Sequence, residues 1–347
     1  MAASKATIEL AKSYLARIKK ELESGDATEH THRPALKDLM EGLNTEVTAT
    51  NEPKRVACGA PDYVVKKHDL SVGYIEAKDI GKSLDEAEDS EQLKRYRKSL
   101  PNLILTDYLE FRWYVDGEPR EKSRLAKFGK GKLILDKEGI EETISILSDF
   151  LSHRPASVTS PKELSQRLAR LAHIIRDIIV EAFKREEASV DLKELRDAFA
   201  QVLIPDINQP EKISEFADMY AQTIVYGLFA ARVNHNGPEP FQRLGAAREI
   251  PKTNPFLKKL FETITGSELD DEPYVDFVED LAHLLANTVL EKVLEDFGKR
   301  TKQEDPIVHF YETFLEAYDP KMRERRGVVN AGIKLSNYSD IKLSSST

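Results

Sequence analysis

Cysteine and tryptophan are nearly missing from this chain, with one of each in 347 residues. The single thiol, Cys58, excludes an internal disulfide framework and a thiolate zinc cage, and it points to a reducing compartment, with the cytosol as the default. No apolar run is long enough for a bilayer span. Met1 to Lys20 mixes helix-spaced apolar positions with lysines, so neither a signal peptide nor a membrane helix is expected. An excess of positive charge is also absent: 51 Lys and Arg stand against 60 Asp and Glu, a net charge of -9. That excludes a uniformly basic nucleic-acid-binding surface and leaves such contacts to local basic patches. No fixed-period repeat is present. What is there is enough apolar material, 40% of the residues, for a real core and two or three compact units.

The apolar spacing divides the chain. Ile8 to Leu22 reads as an amphipathic helix; Ser24, Gly25 and Asp26 break it, and Thr28 can cap a second helix running roughly from Arg33 to Leu43. The period then changes to two. Tyr63 to Val65 and Val72 to Lys78 are short β-rich runs separated by the polar Lys67, His68 and Asp69, a hairpin signal. Leu84 to Leu100 is charged and helical and is closed by Pro101. Leu103 to Thr106 and Glu110 to Val115 give two more strands, the last ending in the turn pair Asp116-Gly117. Beyond about Asp136 the pattern is helical throughout: Glu138 to Leu151, Pro161 to Lys184, Leu192 to Val202, Ile213 to Val233, Phe256 to Thr265, Tyr274 to Phe297 and Val308 to Tyr318. The expected class is α+β, an α/β core with N-terminal helices at 1–135 followed by an all-α domain at 136–326. Pro155, Ser157 and Ser160 interrupt the periodicity near His153 to Thr159, which marks the break between the two. The polar stretch 327–347 ends in a serine run and is expected to be a loosely held tail.

One constellation carries chemistry. In Val72-Gly-Tyr-Ile-Glu-Ala-Lys78 the alternation puts Tyr74, Glu76 and Lys78 on one face and Gly73, Ile75 and Ala77 on the opposite, packed face. Asp62, in Gly59-Ala-Pro-Asp62-Tyr63, stands where the preceding strand begins, so a hairpin brings it within reach of Glu76. Two hard carboxylates suit Mg²⁺, with Mn²⁺ as an alternative, because magnesium takes one or two protein carboxylates and completes its shell with waters and a substrate phosphate. Phosphodiester hydrolysis is the chemistry this favours, with Lys78 positioning the water or offsetting charge on the phosphate. An acid-x-Lys triplet alone is common: Asp191-Leu-Lys193 and Asp319-Pro-Lys321 occur in helical or turn surroundings. The strand, the Pro-Asp before it and the helix and strand after it distinguish the triplet at Glu76.

Two cationic runs flank this segment. Lys94, Arg95, Arg97 and Lys98 share a helix with Gln92 and Tyr96, and Arg120, Lys122, Arg124, Lys127, Lys130 and Lys132 follow the last strand. A charge run is most often a solvated face; beside a phosphodiester site these residues are expected to supply sequence-independent phosphate contacts that weaken with salt. His68, His173 and His283 lack ligand spacing and read as structural, as do Trp113 and Tyr114. His30 and His32 rank below the carboxylates.

Glu29-His-Thr-His-Arg33, Gly59-Ala-Pro-Asp62-Tyr63, Glu76-Ala-Lys78 and Gln92-Leu-Lys-Arg-Tyr96 resemble the amino-terminal PD-(D/E)xK nuclease of the large single-chain restriction-modification enzymes of the type IIG and type ISP group. Tyr220-Ala-Gln-Thr-Ile-Val-Tyr-Gly-Leu-Phe229 and His309 to Pro320, through Arg325-Arg-Gly327, resemble the helical connector that leads into the adenine-N6 DNA methyltransferase of that family. The resemblance implies a restriction-endonuclease-like core, double-stranded DNA as substrate, Asp62 and Glu76 as metal ligands and Lys78 as the catalytic amine. It further implies Glu29 as a third acidic ligand and Gln92, with Tyr96, as the Gln-x-x-x-Tyr pair that holds DNA or the lysine. The chain departs from the family after Gly327, where no Asn-Pro-Pro-Tyr motif follows, so methylation and target recognition are expected from another module or a companion chain. Two other functions stay open: a non-catalytic helical adaptor with a dead nuclease fold, and the N-terminal part of an adenine-specific methyltransferase.

Overall fold

The computed structural model describes residues 4–24, 29–51, 59–67, 70–129, 132–154, 157–202, 204–249, 261–263, 265–300 and 306–319. Thr28, Cys58, His68, Asp69, Lys130, most of the helix expected at Phe256 to Thr265, and the tail 327–347 lie outside the described residues, as does the side chain of Glu29. The chain forms two compact units, Met1–Ala156 and Ser157–Thr347. Its class is α+β.

In the first unit, α1 (Lys5–Glu23) starts at Ser4, whose hydroxyl accepts the Thr7 N–H, and α2 (Glu29–Leu43) carries Pro34 inside it. The strands β1 (Val47–Thr50), β2 (Tyr63–Lys67), β3 (Leu70–Ala77), β4 (Asn102–Thr106), β5 (Glu110–Val115) and β6 (Glu118–Arg124) form one sheet in sequence order. All neighbours are antiparallel except β3 and β4. A parallel pair requires a crossover, which α3 (Leu84–Asp89) and α4 (Glu91–Ser99) supply. The segment Leu84 to Leu100 is thus two helices where the charge pattern predicts one. Ser90 is the reason: its backbone is extended and its hydroxyl accepts the Leu93 N–H, an N-cap that restarts the helix. The expected turn after β5 is present, with Asp116 and Gly117 both at positive φ, 51° and 86°. Two such residues in a two-residue hairpin loop match the twist of the strands they join.

Four strands escape the pattern reading. Val47 and Ala49 of β1 are buried while Thr48 is exposed, but four residues are too few to show the period. β6 reads Glu-Pro-Arg-Glu-Lys-Ser-Arg, and its basic run belongs to an edge strand, where charge keeps the unpaired edge from joining another sheet. The ribbon of β7 (Ala126–Gly129) and β8 (Lys132–Leu135) carries Lys127 and Lys132. The helix α5 (Lys137–Ser152), placed from its pattern with the helical domain beginning at 136, lies instead in the first unit, and its Ile144, Leu147 and Phe150 join Ile75, Ala77, Ile104 and Phe111 in one core with α1 and α2.

This packing explains Gly73. A Cβ built there would stand 2.5 Å from Phe150 and 2.8 Å from the Asn102 amide nitrogen. Asn102 ties the layers together: its amide donates to the carbonyls of Val72 (2.8 Å) and Phe150 (3.0 Å), and its oxygen accepts the Trp113 indole N–H at 2.7 Å.

Among its described residues the second unit contains helices and no strand: α6 (Pro161–Lys184), α7 (Val190–Val202), α8 (Ile213–Asn234), α9 (Val275–Ala286), α10 (Leu290–Arg300) and α11 (Pro306–Tyr318). α6 buries Leu164, Leu168, Leu171, Ile174, Ile175, Ile178 and Ile179, too wide a stripe for a surface helix, and α8, α9, α10 and α11 pack against it. α11 is fastened by Tyr318, whose hydroxyl donates to Asp218 at 2.5 Å while its carbonyl meets His173 Nε2 at 2.9 Å. The expected helix Tyr274 to Phe297 divides at Asn287, and the Val289 N–H donates instead to Val158 O at 2.9 Å. Ahead of α9, Glu272 accepts a hydrogen bond from Ser189, and burial raises its carboxyl above the ordinary 4.5.

Two stability measurements check this packing. Phe150→Ala removes the ring that fills the space over Gly73 and costs about 3–5 kcal/mol, and Gly73→Ala costs about 1–3 kcal/mol by overpacking, both read by urea denaturation. A raised carboxyl favours the folded state when protonated, so the contribution of Glu272 is complete below about 4.5 and is lost as pH rises through its raised value. Glu272→Gln therefore unfolds at higher urea than the wild type at pH 7, and the gap closes below pH 4.5.

Candidate active site

The β2–β3 register builds the site. Tyr63 pairs with Ile75, so Asp62, one residue earlier, faces the end of β3 where Glu76 and Ala77 stand. Asp62 Oδ2 accepts the backbone N–H of Ala77 at 2.8 Å. Its other oxygen accepts from Arg33 Nη2 at 2.7 Å. On β3, Glu76 Oε1 accepts from Lys78 Nζ at 2.5 Å. Both acids are buried, 3% exposed for Asp62 and 4% for Glu76, whereas the Lys78 side chain is 24% exposed. The strand ends at Ala77, and the Lys78 backbone N–H donates to Thr106 O at 2.8 Å, which fixes its origin beside β4.

The helix α4 lies over the face opposite the main core. Tyr96 is fully buried there, and its hydroxyl is held well above its ordinary range, first by burial and then by the negative charge of Glu76. That hydroxyl donates to Gly59 O at 2.6 Å and receives the Gln92 amide N–H at 2.9 Å. Arg95 Nη2 donates to the same carbonyl at 3.0 Å. The Gln92 and Tyr96 pair therefore clamps the turn that carries Asp62. Of the cations expected to meet DNA, Arg97 donates to Gly117 O at 3.1 and 3.3 Å and lies 4.7 Å over the Tyr114 ring. Arg95 and Arg97 thus hold backbone, which a charge run in the sequence does not disclose. Lys94 and Lys98 are exposed one turn apart on α4, Lys94 standing 3.7 Å from Glu91, and Lys127 is exposed on β7.

Two residues of the cluster were not singled out from the sequence. Arg33 was visible only as the end of Glu29-His-Thr-His-Arg33. Asn51 gave no signal at all, yet its amide donates to the Asp62 carbonyl and its oxygen accepts from Arg33 at 3.1 Å. Tyr63 closes the ring by donating to the Arg33 carbonyl at 2.9 Å. Among the described residues no group of three or more His, Cys, Asp and Glu is gathered, and Asp62 and Glu76 are a pair of hard oxygen donors of the number and type magnesium accepts.

No family model matches the chain, and no curated protein does. A solved structure titled as a cryo-EM DrdV–DNA complex is similar at 19% identity and a TM-score of 0.35, covering 92% of this chain and 29% of that one. The chain therefore spans less than a third of that protein's length. Among the described residues no helix is long and apolar enough to cross a membrane.

Replacing Tyr96 by Phe removes one of two donors to the Gly59 carbonyl and should cost about 1–2 kcal/mol in urea unfolding. Lys94→Ala and Lys98→Ala, on the exposed face, should stay within about 0.5 kcal/mol of wild type in the same measurement.

Proposed function

We propose that the first unit is a metal-dependent DNA endonuclease of a restriction system, hydrolysing phosphodiester bonds at Asp62, Glu76 and Lys78. The observation that carries this reading is the pairing register that sets two buried carboxylates, Asp62 just ahead of β2 and Glu76 on its hairpin partner β3, at the same end of the hairpin, with the partly exposed Lys78 just past β3 bonded to Glu76. Burial of two acids is costly unless they bind cations, and hard oxygen donors fit Mg²⁺ or Mn²⁺. Asp62 and Glu76 would hold the ion, with Glu29 as the third acid of the proposal. When bound, such an ion polarises a phosphoryl oxygen and makes water more acidic.

The chain's own groups do the rest. Lys78, on a flexible stem, orients the attacking water and offsets charge on the phosphate as one backbone P–O bond breaks and water adds across it. Gln92, through Tyr96, keeps the Asp62 turn in place. Lys94, Lys98, Lys127 and Lys130 supply phosphate contacts without base readout. The helical unit is proposed as the connector to a methylation and target-recognition module, on a continuing or companion chain. A second reading, a non-catalytic adaptor, is favoured by one observation: both carboxylates already carry protein cations.

Cleavage of supercoiled plasmid in the presence and absence of Mg²⁺ tests the proposal. The wild type should nick or cut unmethylated DNA, more weakly as salt rises. Glu76→Ala and Lys78→Ala should lose cleavage by at least about a hundredfold while unfolding cooperatively; undiminished cutting by either variant rejects this site. Absence of both cleavage and Mn²⁺ binding in the wild type selects the adaptor.

A further inference from the structure

We propose that Arg33 is a resident cation of this site, one that already occupies Asp62 and makes entry of a divalent ion depend on the arrival of a phosphodiester anion. The inference rests on the metal-dependent reading above and adds its regulation. Arg33 is 7% exposed and is held at both ends: its guanidinium donates to Asp62 at 2.7 Å and to Asn51 at 3.1 Å, and its carbonyl accepts the Tyr63 hydroxyl at 2.9 Å. Lys78 differs: a quarter of its side chain is exposed, on the long stem of a lysine. Arg33 is the fixed charge of the two.

Arg33 is paired with Asp62 and Lys78 with Glu76. A divalent ion bound to Asp62 stands beside the Arg33 guanidinium on the same carboxylate, two like charges in a poorly screened interior. A phosphodiester brings the negative charge that offsets this repulsion. The protein alone should then bind divalent ions weakly, and the ion should stay bound mainly where DNA is engaged. That arrangement suits an enzyme whose cleavage is restricted to loaded complexes.

Calorimetric titration of the 347-residue chain with Mn²⁺ alone tests this. Arg33→Gln keeps an N–H donor for Asp62 but removes the charge, and coupling between neighbouring charged sites of this kind predicts affinity at least about fivefold tighter than wild type. Arg33→Lys keeps the charge and should remain within about threefold of wild type. A natively folded Arg33→Gln chain that binds Mn²⁺ no more tightly than wild type overturns the role of Arg33 and leaves the metal site intact. No Mn²⁺ binding by wild type or by either variant overturns the metal-dependent reading and this inference with it. Binding by Arg33→Gln alone supports both. If Arg33→Gln does not fold, the wild type decides by NMR: the Arg33 Nε–H, assigned by its loss in Arg33→Lys, must shift as Mg²⁺ is added, and an unchanged signal at saturating Mg²⁺ overturns the proposal.

Discussion

The hydrogen bond from the Ala77 backbone N–H to the Asp62 carboxylate is the contact on which the cluster depends. It exists only in one register of the β2–β3 hairpin, the one that pairs Tyr63 with Ile75. Slipping the pairing by one residue would turn Glu76 toward the helical core and present Ile75 to α4, because strand side chains alternate faces. Packing forbids the slip. Gly73, Ile75 and Ala77 lie against the core that α5 helps to form, and the Phe150 ring leaves no room over Gly73 for a Cβ.

Burial then sets the chemistry. An ionised carboxylate in a poorly hydrated interior needs hydrogen bonds and a counter-charge. Asp62 obtains both from Ala77 and Arg33, and Glu76 obtains a counter-charge from Lys78. The second face of the sheet is closed by α4, whose Tyr96 and Arg95 converge on the Gly59 carbonyl and so restrain the turn preceding β2. Cations that a sequence presents as a basic surface are in this way divided. Arg95 and Arg97, with planar multi-donor heads, grip carbonyls, and Lys94 and Lys98 remain in solvent.

Much of the chain was legible because its signals are local. Alternation marked β3, the Asp116-Gly117 pair marked the β5–β6 turn, and a long apolar stripe marked α6. Other features were not local. β1 is short, β6 is charged like a surface helix, and α5 has an apolar stripe that fits either unit equally well. Ser90 looks like any polar residue inside a helical pattern until its backbone is extended and its hydroxyl caps the next turn.

The sequence by itself determined the class of the chain, the strand that carries Glu76 and leads into Lys78, and the face on which Glu76 stands, since periodicity and turn chemistry act over a few residues. Only the tertiary structure decided that Arg33 and Asn51 complete the surroundings of Asp62, that α5 belongs with the sheet, and that half of the α4 cations serve the fold. Those outcomes depend on which groups meet across 11 to 37 residues of chain, where pairing follows from burial and the need of each buried charge for a partner.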